Sequence, residues 1–335
     1  MVEAVVVRAP GSYAVETVPD PQVLPGEVVV RVGGCGICGT DQHILDHGLP
    51  TARYPLIPGH EPWGWIAEIG PDVQAQLRVG DLVAVDPSLH CGLCDRCRMG
   101  RRNLCRRWGA IGASQAGAWA DFVAVPERTI FRLDDAFPTD VASLIEPVAC
   151  ALRGLERLEA IADTPAIVYG AGTMGILLSI MLDQRGVGPI HLVERNDRRR
   201  AMAATVTNAR VVGPEAVGDL EAASVIDATG NPAAIASALD HVAPGGTFMV
   251  FGVAGVDDRV PFSPFAIYQR EIRIVGSMAI LNTFGAAIET VRRHADAFRP
   301  LATHSFPLAG FGDALAVLRS GEGVKVTIGT ARGPA

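Results

Sequence analysis

Short apolar runs separated by turn residues fill the first part of the chain. Residues with branched β-carbons are concentrated in these runs, and proline and glycine interrupt the chain between them, as at Leu24-Pro25-Gly26. Such a pattern is typical of β-strands joined by turns, so it predicts a β-rich N-terminal domain. The predicted strands span residues 4–7, 27–32, 65–69, 81–85 and 121–125.

The pattern changes near residue 140, where apolar residues take helical spacing over 139–157. Beyond this helix, short apolar strands alternate with helical segments, and that order predicts an α/β fold with a doubly wound parallel sheet. The last strand could return to the first domain, and the tail 329–335 is expected to be disordered. The predicted strands span 166–169, 190–193, 224–227, 247–251, 272–276 and 325–328, with further helices at 176–182, 232–241 and 283–294.

A glycine-rich turn directly follows the strand 166–169. Gly170 permits a tight turn, Gly172 lets a pyrophosphate approach the backbone, and Gly175 lets the next helix pack on the strand. The following strand ends at Glu194, nineteen residues past Gly175. Because the N-terminus of a helix offers free N–H groups to phosphate, this arrangement predicts a dinucleotide-binding site.

Glu194 bears on the choice of dinucleotide. We expect it to accept hydrogen bonds from both hydroxyls of the adenosine ribose and to repel a 2′-phosphate, which favours NAD over NADP. Arginines follow directly at 195 and 198–200, and a reoriented arginine could pair with a 2′-phosphate, so NADP stays possible. Further cofactor contacts are predicted in the turn and in loops after strand ends, at Thr173, Met174, Arg195, Thr229, Val253 and Met278.

Cys38, His60 and Glu61 offer a thiolate, an imidazole and a carboxylate within one short stretch. This mixture suits Zn²⁺, which accepts sulfur, nitrogen and oxygen ligands together. Glu146 stands before Pro147 in an apolar stretch, either as a helix-start residue, as a fourth ligand, or as a group bonded to the metal's water. A zinc ion with three protein ligands keeps a position open for substrate, so we predict a catalytic zinc and leave open which acid binds it directly.

A second metal signal consists of four cysteines separated by two, two and seven residues: Cys91, Cys94, Cys97 and Cys105. Four thiolates on one loop can close a tetrahedral zinc site without an open position, which predicts a structural zinc. An iron–sulfur cluster is the alternative, but it would more often have a closer fourth cysteine followed by proline, and Arg106 follows here. Arginines that either offset the thiolate charge or form a solvated surface stand at 96, 98, 101, 102, 106 and 107.

Composition narrows the partners and the compartment. The 335 residues suggest two domains, and the net charge of −7 disfavours nucleic acid as a partner. The N-terminus has no basic segment before an apolar run, and no uncharged apolar run could span a bilayer, so we expect neither a signal peptide nor a membrane partner. Seven cysteines, with four in one cluster, indicate metal binding in a reducing compartment and hence a cytoplasmic protein.

Taken together, these motifs resemble those of the zinc-dependent medium-chain dehydrogenases of the alcohol dehydrogenase superfamily. They are the segment from Cys38 to His43, Gly59-His60-Glu61, the four-cysteine loop and the turn from Gly170 to Gly175. The polyol, threonine and sugar dehydrogenase branch looks closest, because Glu146-Pro147 stands where simple alcohol enzymes carry a cysteine ligand.

The resemblance implies a GroES-like catalytic domain over residues 1–148 with a C-terminal return over 282–335, and a Rossmann domain inserted over 149–281. It also implies two Zn²⁺ per chain and homodimers or homotetramers. The implied substrate is a secondary alcohol of a polyol, sugar, cyclitol or amino alcohol, whose hydride passes to the nicotinamide.

The resemblance also implies roles for three further residues. Zinc lowers the pKa of the substrate hydroxyl, Thr40 accepts its proton and passes it through the nicotinamide ribose to His43, and Asp41 orients His60. A simple alcohol or aldehyde dehydrogenase with NADP is an alternative function. A non-catalytic zinc- and nucleotide-binding module and a methyltransferase are alternatives of other classes, but neither needs a hydroxyl-polarising zinc beside the glycine turn.

Overall fold

The computed structural model describes residues 1–49 and 52–329, so all but the first residue of the expected disordered tail lies outside it. The chain divides into two compact units. Unit 1 comprises Met1–Ala149 and Ile280–Ala335, and unit 2 comprises Cys150–Ala279. The first unit is therefore discontinuous in sequence, and the second is inserted into it.

The N-terminal part of unit 1 consists mainly of strands. They are β1 (Val2–Ala9), β2 (Ser12–Val18), β3 (Glu27–Ile37), β4 (Pro62–Ile69), β5 (Leu82–Val85), β6 (Ser88–Leu89), β7 (Gly109–Ala110), β8 (Phe122–Pro126) and β9 (Ile130–Arg132). The helices of this part are α1 (Gly39–Asp46), α2 (Asp95–Arg98) and α3 (Ile145–Leu158), the last of which continues into unit 2.

Unit 2 alternates strands with helices, and the chain then returns to unit 1. The elements of unit 2 are β10 (Ala166–Tyr169), α4 (Thr173–Asp183), β11 (Ile190–Val193), α5 (Asp197–Val206), β12 (Arg210–Val212), β13 (Ala222–Asp227), α6 (Pro232–Asp240), β14 (Val242–Val250), α7 (Pro264–Gln269) and β15 (Arg273–Gly276). The returning segment contains α8 (Phe284–Arg293), α9 (Ala295–Phe298), β16 (Ala302–Pro307), α10 (Phe311–Ser320) and β17 (Lys325–Gly329).

Unit 1 is built around a mostly antiparallel sheet that joins the two ends of the chain. Its strand order is β16-β17-β3-β4-β5-β9, and β8 also pairs with β3. Strand β17 runs antiparallel to β3, with Ile328 opposite Cys35 and Val326 opposite Ile37. The C-terminal strand therefore lies beside the segment that leads into Cys38.

Strand β3 is five residues longer than the predicted 27–32, because it continues to Ile37 through three glycines. Glycine weakens a strand pattern, since it offers no side chain to pack. Here the indole of Trp63 covers Gly33 and Gly34 so closely that a Cβ at Gly33 would lie 2.5 Å from the ring. The tertiary contact, which no local pattern reveals, keeps the strand extended up to the metal-ligand segment.

Unit 2, in which every residue is described, contains a six-stranded parallel sheet of order β12-β11-β10-β13-β14-β15. The chain starts in the middle at β10, moves outward on one side, and then restarts beside β10 at β13. Ligands of such sheets bind at the carboxyl ends of the strands where the order reverses, which is between β10 and β13. The predicted α/β fold class is confirmed.

Two further observations concern the helices. The predicted helix 139–157 is a 3₁₀ segment over Thr139–Leu144 followed by α3. Among the described residues, no helix has both the length and the apolar character needed to cross a bilayer.

Candidate metal centre and dinucleotide site

Cys38 is placed by the start of helix α1. It is the N-cap residue, and its sulfur accepts a hydrogen bond from the backbone N–H of Thr40 at 3.2 Å. In return, the carboxylate of Asp41 accepts a hydrogen bond from the backbone N–H of Cys38 at 2.9 Å. This reciprocal capping pair holds the sulfur at the positive end of the helix, where negative charge is stabilised.

His60 faces Cys38 from the residues that precede β4. Its Nε2 atom lies 3.1 Å from the sulfur of Cys38, and its Nδ1 atom lies 3.1 Å from Oδ1 of the fully buried Asp41. Burial alone would lower the pKa of His60, but the charges of Asp41 and Cys38 outweigh burial and raise that pKa well above its usual value. Burial likewise raises the pKa of the Cys38 thiol, because a thiolate is poorly solvated there.

Two carboxylates and one ammonium group complete the cluster. The carboxylate oxygens of Glu61 and Glu146 lie within 4.8 Å of each other and of a His60 nitrogen. Lys325 of β17 donates hydrogen bonds to both oxygens of Glu61, at 2.7 and 2.5 Å. Burial alone would lower the pKa of Lys325, but the charges of Glu61, Cys38 and Glu146 raise it overall. Lys325 is therefore a cation that forms a buried ion pair with Glu61.

These side chains fit a catalytic zinc ion. The donor atoms of Cys38, His60 and Asp41 lie within 4.8 Å of one another, and those of His60, Glu61 and Glu146 do the same. His60 is common to both groups, which together offer sulfur, nitrogen and oxygen donors. Zinc accepts this mixture, and a histidine whose other nitrogen faces a carboxylate is the usual way such a ligand is oriented. Asp41 stands where such an orienting group is required.

Thr40 and His43 follow Cys38 on α1. Thr40 is half-buried and lies one turn before His43, whose side chain is exposed at the surface. Glu146 is the second residue of α3 and Pro147 the third, which is compatible with the expectation of a helix start. The side chain of Glu146 lies beside those of His60 and Glu61. Glu146 can therefore stand at the helix start and also serve as a metal ligand.

The four cysteines of the second cluster lie close together. Their sulfurs are all within 4.8 Å of one another, and the individual Sγ–Sγ distances are 3.5 Å for Cys105–Cys91 and 3.9 Å for Cys91–Cys97 and Cys94–Cys105. A tetrahedral zinc with Zn–S bonds of about 2.3 Å separates its sulfurs by about 3.8 Å. The four thiols thus fit a zinc ion.

Backbone N–H groups prepare this loop for thiolates. Cys94 donates its N–H to the sulfur of Cys91 at 3.3 Å, and Cys91 and Arg107 donate theirs to Cys105 at 3.4 and 3.3 Å. Hydrogen bonds from the N–H groups of Leu93 and Cys94 lower the pKa of Cys91 to about 5. The surrounding arginines are all exposed, and Arg106 binds both oxygens of Asp95 at 2.7 and 2.9 Å.

The glycine turn of unit 2 joins β10 to α4. Gly170 has a φ of +99°, a conformation that favours glycine, and a Cβ at Gly175 would lie 1.7 Å from the carbonyl oxygen of Gly170. Gly172 is the N-cap residue of α4, which has no side-chain cap. A Cβ placed on Gly172 would have no atom within 4 Å. The start of an eleven-residue helix without a side-chain cap and with an open approach fits a pyrophosphate.

Glu194 lies at the carboxyl end of β11 and is 7% exposed. Its Oε2 accepts a hydrogen bond from the N–H of Ala171 in the glycine turn, and its Oε1 accepts one from the N–H of Asn196, each at 2.9 Å. Each carboxylate oxygen can accept a second hydrogen bond, so the ribose hydroxyls can still be bound. Glu194 is thus a candidate ribose contact that also holds the glycine turn in place. The sequence did not reveal this second role.

The arginines after Glu194 differ in their contacts. Arg200 donates to the carbonyl oxygens of Glu194 and Arg195, both at 2.9 Å, and pairs with Asp197, so its guanidinium is used within α5 and its entry. The side chain of Arg195 is exposed. Arg195 therefore has more freedom than Arg200 to approach a 2′-phosphate.

The remaining predicted cofactor residues lie at the same edge of the sheet. Thr173 and Met174 begin α4 and are half-buried, whereas Val253 and Met278 follow β14 and β15 and are 66% and 40% exposed. Thr229 donates its hydroxyl to the buried carboxylate of Asp227 at 2.5 Å and accepts the N–H of Asn231 at 2.9 Å. Its hydroxyl is thus used within its own loop.

Lys325 is the residue of the metal centre that sequence reasoning missed. It was predicted only as the first residue of a strand, 264 positions away from Glu61. One signal was present, because Lys325 is the only lysine among the 29 lysine and arginine residues of the chain.

Comparison with known proteins gives two family matches and several similar relatives. Residues 24–135 match the family "Alcohol dehydrogenase GroES-like domain", and residues 173–293 match the family "Zinc-binding dehydrogenase". The D-altritol 5-dehydrogenase of Agrobacterium fabrum is 33% identical over 306 residues, covering 89% of this chain and 90% of that protein. An L-threonine 3-dehydrogenase of Caldanaerobacter subterraneus is 27% identical over 323 residues, covering 92% of each chain.

A crystal structure gives a matching overall fold. It is described as a zinc-binding dehydrogenase from Sinorhizobium meliloti 1021 bound to NADP. It superposes with a TM-score of 0.90 at 28% identity and covers 98% of this chain and 99% of its own.

Proposed function

Because this chain belongs to the zinc-binding alcohol dehydrogenase family, we propose that it oxidises a secondary alcohol of a polyol with a nicotinamide dinucleotide as the hydride acceptor. The observation that carries the proposal is that His60 belongs to two donor groups, one with Cys38 and Asp41 and one with Glu61 and Glu146, which together offer sulfur, nitrogen and oxygen. The match of the relatives over nearly the whole chain supports the same reaction class.

A zinc ion held by these residues supplies Lewis acidity toward a hydroxyl oxygen, and the dinucleotide supplies the hydride acceptor. Residues of the chain then transfer the proton of the substrate hydroxyl. We propose that the hydroxyl of Thr40 accepts the substrate proton and that it leaves through the imidazole of His43, whose exposed ring can release it to water. Asp41 holds the ring of His60 through its Nδ1 atom, which fixes the direction of Nε2.

The proposed second metal is a structural zinc at Cys91, Cys94, Cys97 and Cys105. The close approach of the four sulfurs supports it, and a site with four protein ligands leaves no position for substrate. Its role is then to fix the fold of the loop that contains α2.

We propose NAD as the preferred cofactor, with NADP as the alternative. The carboxylate of Glu194 favours NAD, because a 2′-phosphate would lie beside a fixed negative charge. The exposed Arg195 supports the alternative, as does the NADP in the related Sinorhizobium structure. Thr173, Met174, Val253 and Met278 remain proposed contacts on the strength of their position at the carboxyl ends of the strands.

The polyol class is proposed because the relative that acts on altritol is the more similar of the two relatives described above, at 33% against 27% identity for the threonine enzyme. An amino alcohol is therefore the second candidate. We also propose a cytoplasmic homodimer or homotetramer. All seven cysteines are free thiols, which suits a reducing compartment, and β15 is an edge strand whose Ile274 is 44% exposed.

The test is a substrate screen with the purified protein. Pentitols, hexitols, cyclitols, aldoses and threonine are each supplied with NAD and then with NADP, and the reduced nicotinamide is measured by its absorbance. We expect turnover with at least one polyol, and the Cys38→Ser variant should be inactive while it still binds the dinucleotide. Turnover of threonine alone would overturn the polyol assignment, and an active Cys38→Ser variant would overturn the metal centre.

A further inference from the structure

Of the 29 lysine and arginine residues in the chain, 28 are arginines and only residue 325 is a lysine. This one lysine is 1% exposed, whereas the arginines of the surface face water. An ammonium group is compact and donates three hydrogen bonds from one atom, whereas a guanidinium is a broad planar fork. Position 325 therefore has a requirement that the other basic positions do not share.

The surroundings of Lys325 show what that requirement is. Its Nζ atom donates to both oxygens of Glu61 and lies 3.4 Å from the carbonyl oxygen of Ile37 in β3. The backbone makes room for this contact at Gly36, because a Cβ there would lie 1.7 Å from Oε2 of Glu61 and 3.1 Å from Cδ of Lys325. The ammonium group thus occupies a small space bounded by backbone and one carboxylate.

The charges explain why a cation is needed there. If a zinc ion with charge +2 met the thiolate of Cys38 and the carboxylates of Glu61 and Glu146, the sum would be −1. With Lys325 the sum is zero before substrate arrives. A metal that receives less negative charge from its ligands attracts the electrons of a substrate oxygen more strongly, but it is also bound less tightly.

We propose that Lys325 is a positioning residue of the metal centre, which holds the carboxylate of Glu61 by both oxygens and limits the negative charge that the two acids deliver to the metal. This inference rests on the proposed function, since it requires that the cluster bind zinc. It assigns to the C-terminal strand a part in the reaction, although no atom of that strand is a candidate ligand.

The proposal makes an unusual prediction for Lys325→Met. Loss of the cation should tighten zinc binding at this centre about tenfold or more, because a positive charge close to the metal is removed. The same change should lower kcat about tenfold or more, because the metal becomes less electrophilic. A lysine with a merely structural role would not tighten metal binding when it is removed.

The experiment measures zinc affinity by competition with a chromophoric chelator on the full-length protein. The zinc of the four-cysteine loop serves as an internal reference, and the Cys38→Ser variant identifies which of the two equivalents belongs to the catalytic centre. Lys325→Arg keeps the charge and should not tighten zinc binding. Arg319→Met removes another cation of the C-terminal segment, which pairs with Asp46 at the surface, and should change neither quantity.

If Lys325→Met does not fold, the comparison moves to the Glu61→Gln background, in which the double variant contains neither buried charge. The double variant should bind zinc more tightly than Glu61→Gln alone. Unchanged or weaker zinc binding on loss of Lys325, or equal tightening in Lys325→Arg, overturns the proposal. If the wild-type protein binds zinc only at the four-cysteine loop, the proposed function fails as well, so the two failures are distinguishable.

Discussion

At the scale of single residues, Asp41 connects local structure with chemistry. Its carboxylate caps α1 through the N–H of Cys38 and also contacts Nδ1 of His60. One side chain therefore fixes the directions of two proposed zinc ligands. A sequence can suggest such a residue from the capping spacing, but it cannot show that the free oxygen of the cap reaches an imidazole from another segment.

We expect Asp41→Asn to lower kcat/KM by about 10- to 100-fold, because an amide can still accept the N–H of Cys38 but does not attract the ring of His60. The far-ultraviolet circular dichroism and the dinucleotide affinity should stay as in the wild type. Steady-state kinetics and a zinc assay check this. An Asp41→Asn enzyme with full activity would remove the orienting role of Asp41.

Glu194 makes a contact that its position in the sequence does not reveal. Its position after β11 predicts a ribose contact, but its hydrogen bond to Ala171 also fixes the glycine turn. That contact depends on the pairing of β10 with β11, which spacing along the chain does not display.

Glu194→Gln tests the cofactor preference. The amide oxygen can accept one N–H, so the turn should persist, whereas the negative charge facing a 2′-phosphate is lost. We expect the ratio of kcat/KM for NADP to that for NAD to rise about tenfold. Arg200→Gln, which removes a guanidinium used within the protein, should not raise that ratio; if both variants raise it equally, the charge of Glu194 is not the cause.

At the scale of elements, the sequence predicted most regular segments of the inserted unit and a smaller share of those in the discontinuous unit. Strands β10, β11 and β13 are buried on both sides and show as apolar runs. By contrast, β2 is mostly exposed and mixes polar with apolar residues, so no clear period marks it. Glycines concealed the end of β3, because their packing partner Trp63 lies on another strand.

We expect the four-cysteine loop to depend on the proposed structural zinc. It contains only the short α2 and a 3₁₀ turn, and its large apolar side chains Leu93, Met99 and Leu104 are exposed, so little apolar packing holds it without the ion. We expect Cys105→Ser to lower the Tm by about 10 °C and to remove one zinc equivalent, with dinucleotide affinity retained. Calorimetry with a metal assay measures both effects. A variant that loses that zinc at an unchanged Tm would show that the ion does not stabilise the fold.

At the scale of the whole molecule, the metal centre depends on both ends of the chain. Cys38 follows β3, and Lys325 begins β17, which pairs with β3. A chain that ends after Gly321 lacks this strand. We expect such a truncation to expose the edge of β3, to abolish turnover and to aggregate, as light scattering would show. A soluble, active truncated enzyme would contradict the part assigned to β17.

The distance of 264 residues between Glu61 and its cation also has a consequence for biosynthesis. At about 5 to 20 residues per second, a ribosome needs roughly 13 to 53 s to pass from one to the other. During that interval the nascent N-terminal segment exposes the part of β3 that later pairs with β17, whereas unit 2 is continuous and can fold as soon as its last residue has emerged. The inserted unit can therefore fold first, and the unit around it is completed only after β17 has been synthesised.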